Sequence, residues 1–454
     1  MKKGLITSIL ALTFTGLQAQ PLPATPKLVV TLTIDQLRTD YMEAFSSLYG
    51  EKGFKRLMRE GKVFYQTEFP FSGTDRASAI AAIYSGTTPS MNGIISQQWM
   101  NANTLRPMNC VDDPAFMGNF TDETYSPAAV KVSTLSDEIR VDSDGDGYVY
   151  SIAASPASSI ISAGHAANSA FWLNRNTGNW ATSTYYKDVP PEVTEINYRN
   201  PLSRRLSDYK WTPGSQMSKY PLLSMAKRAR PFSHTYPESD LRRYERYGTT
   251  PGANDEITNI ALRLLKKIQP VTNDAVSMLN VSYSLSPDLP ETPGRARAEI
   301  MDAYIRLDAS LASLMQAVEK QFGKGNVAVM VAGLPGSFHD GPDDQKWRIP
   351  YGQFSIKRAD ALLNMYLMSK HGNGQWVSGY HNRNFYLNHK LISEKNLDQP
   401  SVRAEAADFL GRMAGISTVY PIESITASRA GADPEALKLS LIHISEPTRP
   451  EPIS

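Results

Sequence analysis

The run Lys27-Leu28-Val29-Val30-Thr31-Leu32-Thr33-Ile34 follows Pro26 and ends at Asp35. An apolar, β-branched run of this length suits a strand buried on both faces, and such strands belong to parallel sheets covered by helices. A carboxylate at the carboxyl end of such a strand lies where open α/β sheets gather their ligands. A turn or capping role for Asp35 is equally compatible with its position.

Two later stretches extend the constraint. From Ala298, Ile300, Tyr304, Leu307, Leu311, Leu314, Val318 and Phe322 recur at spacings of three and four, which predicts one long helix, and the strand-like Val327 to Ala332 follows. Asn254 is predicted to cap a helix with the face Ile257, Ile260, Leu264 and Ile268, stopped by Pro270 and followed by a strand from Ala275 to Val281. Helix and strand in alternation predict an α/β fold with a mostly parallel sheet. The stretches 177–252, rich in Tyr, Pro and Arg, and 340–399, rich in aromatic and polar residues, interrupt the rhythm. They are expected to cap the sheet as two insertions.

Lys and Arg number 47 against 45 Asp and Glu, a formal charge of +2, so there is no excess to hold a nucleic-acid backbone. The single cysteine, Cys110, excludes an intramolecular disulfide and a finger-type zinc framework. Residues 1–20 combine basic Lys2-Lys3, an apolar run from Gly4 to Leu17 and a small-residue exit, the pattern of a secretory signal. That run is shorter than the roughly 20 apolar residues a spanning helix takes, so no membrane anchor is expected after its removal. The expected location is periplasmic or secreted. At the other end, Leu439 to Arg449 resembles the translated end of a sequencing-library adapter, so residues 439–454 are set aside and the 21–438 domain is expected to be truncated near Lys438. Asp142 to Gly147 begins like a calcium loop, but position twelve holds Ala153, and a hairpin or loop turn is the expectation.

Asp35 with Gln36 to Tyr41 and Gly53 to Leu57, Ile83 to Pro89, Gly164-His165 with Ala170-Phe171-Trp172, Thr182 to Tyr186, and Asp302 to Asp308 together resemble the alkaline phosphatase superfamily. Gly379-Tyr380, Asn382 to Asn384 and Tyr386 to Asn388 extend the match, which runs from Leu28 to about Gly415. More narrowly, the chain resembles the exported, phosphate-irrepressible alkaline phosphatases, which use a threonine nucleophile and two zinc ions. The resemblance implies an alkaline-phosphatase-like sheet with two cap insertions.

It also implies where the chemistry would sit. The nucleophile position falls on Arg76, and the asparagine that serves the transition state falls on Gln97. The Lys-Asp-Arg triplet that contacts the phosphoryl group falls on Ser155-Pro156-Ala157. Zinc positions fall on Asp35, Pro287, Glu291, Gly333 and Leu334, and the last zinc histidine lies past the expected truncation. Only Asp35 keeps a ligand, and one carboxylate does not hold zinc, which takes three or four. Placing Thr74 at the nucleophile position requires two extra residues within the helix from Ala77 to Ala82, a rotation of about 200°.

His165 is expected to be structural, and Ser85, Ser90 and Ser96 form no nucleophile elbow. Arg76 is expected to replace the lost cation and pair with Asp35. The leading expectation is a degenerate hydrolytic site on an exported protein that retains ligand or partner binding, with no cofactor. The alternative is an active zinc phosphomonoesterase or phosphodiesterase that uses Thr74. A third possibility is a surface-assembly protein that uses the insertions as its contact face.

Overall fold

The computed structural model describes residues 25–101, 104, 106–214, 232–269, 275–285, 296–335, 354–381, 383–428 and 438–439. The expected signal, Pro287, Glu291 and residues 440–454 lie outside the described residues.

The strands are β1 (Leu28–Asp35), β2 (Gln98–Met100), β3 (Pro107–Asn109), β4 (Gly118–Asn119), β5 (Val149–Ala153), β6 (Ser169–Leu173), β7 (Trp180–Ser183), β8 (Lys210–Trp211), β9 (His234–Thr235), β10 (Ser277–Ser284), β11 (Val327–Leu334), β12 (Val377–His381) and β13 (Asn384–Leu387). Seven form the central sheet in the order β11-β1-β10-β5-β6-β7-β4. The five from β11 to β6 run parallel, and β7 and β4 add an antiparallel margin.

The helices before β10 are α1 (Thr39–Ala44), α2 (Phe54–Glu60), α3 (Arg76–Ser85), α4 (Pro89–Asn92), α5 (Leu135–Asp142), α6 (Pro156–Ala163), α7 (Pro191–Arg199), α8 (Leu202–Arg205), α9 (Arg243–Tyr247) and α10 (Pro251–Lys267). Those after it are α11 (Ala296–Phe322), α12 (Ile356–His371), α13 (His389–Glu394), α14 (Gln399–Gly411) and α15 (Ile422–Ser428).

Side chains alternate across the sheet, because successive residues of a strand point to opposite faces. Leu28, Val30, Leu32 and Ile34 of β1 join Leu279, Val281 and Tyr283 of β10 in a core with α10 and α11. The opposite face packs Met278, Ala170 and Trp172 against α3 and α6. That second face is partly polar, and its groups satisfy one another. Thr31 Oγ1 bonds Tyr84 Oη at 2.6 Å, and Asn280 Nδ2 donates to Ser136 Oγ at 3.0 Å and to the Ser162 carbonyl at 2.9 Å.

The expected β1 strand, the long α11 helix and the strand after it are all present. Several expectations differ in detail. The cap of α10 is Thr250, whose side chain accepts from Ala253 N, with Pro251 at the first helical position, where its fixed φ favours an early start. Asn254 lies inside the first turn instead, where it donates to the Ser284 carbonyl at 2.7 Å and accepts from Ser284 N at 3.1 Å. The turn at Asp142 to Gly147 links helix α5 to β5 rather than two strands, through Asp144 and Gly145 at positive φ.

The stretch 177–252 packs into the main body. It supplies β7 to the central sheet, and Trp180, Val193, Leu202, Trp211, Tyr236, Tyr244 and Tyr247 to the main core. The stretch 340–399 is described from residue 354. Its described part joins α14 around a core of its own, with Leu363, Leu367, Trp376, Ile392, Val402 and Leu410 buried. The mixture of aromatic and polar residues hid a third apolar cluster, which is completed by residues beyond 399. This unit touches the main body near Met100, whose sulfur and methyl lie beside Gly379.

Candidate functional site

The site lies at the carboxyl ends of the parallel strands. In register, Asp35 faces Ser284 of β10 on one side and Leu334 of β11 on the other. Nearby, α3 begins with Asp75 as its cap. Asp75 Oδ1 accepts from Ser78 N at 2.9 Å, the Ser78 hydroxyl accepts from Asp75 N at 3.0 Å, and Asp75 Oδ2 accepts from Gln97 N at 2.6 Å. These bonds fix Arg76 at the first helical position. Its Nη2 donates to Asp35 Oδ2. The Asp35 side chain is 8% exposed and that of Arg76 30%. Arg76 Nε is buried and, among the described residues, has no partner.

A cavity of about 30 Å³ opens beside this pair, lined by Asp35, Arg76, Ser155, Ser158, Thr249 and Ser284 among others. Ser155 caps α6 and accepts from Ser158 N at 3.5 Å. The fold thus brings Asp35, Arg76, Ser155 and Leu334 together, with Gly333 one residue earlier on β11. Ala157 is buried in the core instead. Gln97 is exposed, and its backbone rather than its side-chain amide meets Asp75. The Thr74 hydroxyl donates to the Phe71 carbonyl at 3.1 Å and does not line the cavity. Sequence reading missed Ser158, Thr249 and Ser284. Ser284 had a signal, because it ends a strand buried along its length just as Asp35 does.

The described residues do not fit zinc. The Asp35 carboxylate is taken by a guanidinium, and the strand end beside it offers only Gly333 and Leu334. No group of three His, Cys, Asp or Glu side chains gathers among the described residues.

His165 takes a structural place. Its Nδ1 lies 3.0 Å from Asp137 Oδ2 and its Nε2 2.9 Å from the Val130 carbonyl. The Asp137 hydrogen bond raises the His165 pKa above its ordinary 6.5. Burial works to raise that of Asp137, but bonds from His165 and the Thr134 and Ala166 backbone outweigh it and hold it below 3.8. Gly164 is required here, since a Cβ would lie 2.3 Å from Thr134 Oγ1 and 2.6 Å from Asp137 Oδ1. Cys110 is buried, which pushes its thiol pKa well up and leaves it unreactive.

Comparison with known proteins agrees with the fold. The alkaline phosphatase PafA of Elizabethkingia meningoseptica is 26% identical over 463 residues, covering 97% of this chain and 83% of the relative. A protein of Myroides odoratus named as a calcium-transporting ATPase is 29% identical, covering 92% of this chain and 79% of the relative. The crystal structure of wild-type PafA superposes with a TM-score of 0.80 at 25% identity, covering 92% of this chain and 83% of that one. Residues 29–334, from the second residue of β1 to the last of β11, match the model of the type I phosphodiesterase / nucleotide pyrophosphatase family, and the chain belongs to that family, within the alkaline phosphatase superfamily.

Proposed function

We propose that this chain is an exported phosphoester-hydrolase-family protein whose hydrolytic site is degenerate, and that its remaining polar pocket serves a ligand or partner. One observation carries the reading: at the position implied for the attacking hydroxyl, the Arg76 guanidinium is bonded to Asp35. A guanidinium does not attack phosphorus and stays protonated at any physiological pH. Acyl or phosphoryl transfer needs a positioned nucleophile and preorganised charge. The described pocket supplies hydroxyls from Ser155, Ser158, Thr249 and Ser284, without an imidazole beside any of them to act as base. The basic and apolar N-terminus supports export, and no helix among the described residues is long and apolar enough to cross a membrane.

The test is turnover of an aryl phosphate monoester and an aryl phosphate diester with zinc supplied. The expected result is no rate above buffer. Turnover that disappears in Thr74→Ala would overturn the reading and establish a displaced nucleophile.

A further inference from the structure

We infer that Arg76 is a fixed internal cation standing where the family's metal would sit, so that this domain folds and holds its pocket without zinc. The inference deepens the degenerate-site reading and rests on it. Its starting point is a mismatch between donors and charge. Asp35 is 5% exposed at the end of a buried strand, between Ser284 and Leu334, neither of which carries charge. A carboxylate so placed needs a positive partner. In a metalloenzyme that partner would be the ion, and here Arg76 Nη2 takes the bond.

The placement of Arg76 is itself unfavourable without Asp35. The first turn of a helix carries the positive end of its dipole, which disfavours a cation there. Arg76 Nε is in addition buried without a partner among the described residues. Two local costs are thus accepted at one residue, and the bond to Asp35, supported by the Asp75 cap that anchors the helix start, offsets them. Among the described residues zinc would find one carboxylate, already paired through Oδ2, beside Gly333 and Leu334 side chains that donate nothing, short of the three or four ligands it takes.

The experiment has two arms, run on the full chain. In the first, thermal unfolding is followed with excess zinc, with chelator and with neither, alongside metal content by emission spectrometry. The midpoint should not move, and zinc should be well below one per chain. In the second, Arg76→Met is made with Asp35 intact and with Asp35→Asn, and urea unfolding is followed by fluorescence. With Asp35 intact, Arg76→Met should lower the folding equilibrium constant by about 10- to 100-fold, toward the low end of buried pairs because Arg76 is partly exposed. In the Asp35→Asn background the same change should cost less than about 3-fold. If Arg76→Met alone does not fold while the double variant does, the pairing is equally supported. Equal losses in both backgrounds, two unfolded variants, or a zinc-raised midpoint would each overturn the inference. Phosphatase turnover with the coupling intact would sink only the degenerate-site reading.

Discussion

Arg76 and His165 show how single side chains settle into this fold. Both pair with a mostly buried carboxylate, yet they differ in what pH does to them. A guanidinium keeps its charge across the physiological range. The His165–Asp137 pair can lose either charge. His165, with its pKa raised, contributes stability that is complete below 6.5 and is lost as pH climbs through its folded value. Asp137, with its pKa lowered, contributes above 3.8 and is lost as pH falls through its folded value. The pair is therefore strongest between these two limits. We expect the native chain to lose stability relative to His165→Gln as pH rises from 6.5 to about 8. Urea midpoints at a series of pH values check this, and parallel curves for the two proteins would refute it.

At the scale of elements, Gly53 illustrates why a short motif persists: a Cβ there would lie 2.2 Å from Asp308 Oδ1, which accepts from Phe54 N at 2.7 Å, while Asp308 Oδ2 accepts from Gly50 N at 2.8 Å. The start of α2 is thereby fastened to the middle of α11. Strand β11 has the opposite character. Its sequence, VAVMVAGL, is that of a strand buried on both faces, but among the described residues it lies at the sheet margin and most of it is half-buried or exposed. An apolar edge strand of eight residues is a template for pairing with another chain. The chain is therefore expected to self-associate as its concentration rises, and Val331→Lys, at a residue 36% exposed, should reduce this several-fold. Sedimentation velocity on both proteins measures it, and unchanged association in the variant would show that another surface is responsible.

For the whole molecule, the two apolar cores on either side of the sheet share its strands, whereas the cluster around Trp376 has its own. Separate cores open separately. Hydrogen exchange in increasing denaturant should divide the amides of α12 to α14 from those of β1, β5 and β10, with distinct midpoints, and one shared isotherm would contradict this. The same division marks what was legible in the sequence. Residues 28–35 and 296–334 announced their strands and long helix, because burial on both faces and a one-sided stripe are local patterns. The resemblance located Asp35, Arg76 and Leu334 and implied that the first two positions serve one metal ion, from which an acid and a base there were expected to pair. The third core, around Trp376, was not legible, because its residues from 359 to 410 are brought together by chain folding across several short elements. Nor was the membership of the pocket: Ser158, Thr249 and Ser284 come from three separate segments. Sequence determines which faces of each element are apolar and where charges fall along the chain. Only the tertiary structure decides which distant segments meet, because that depends on packing summed over the whole sheet rather than on any window of neighbours.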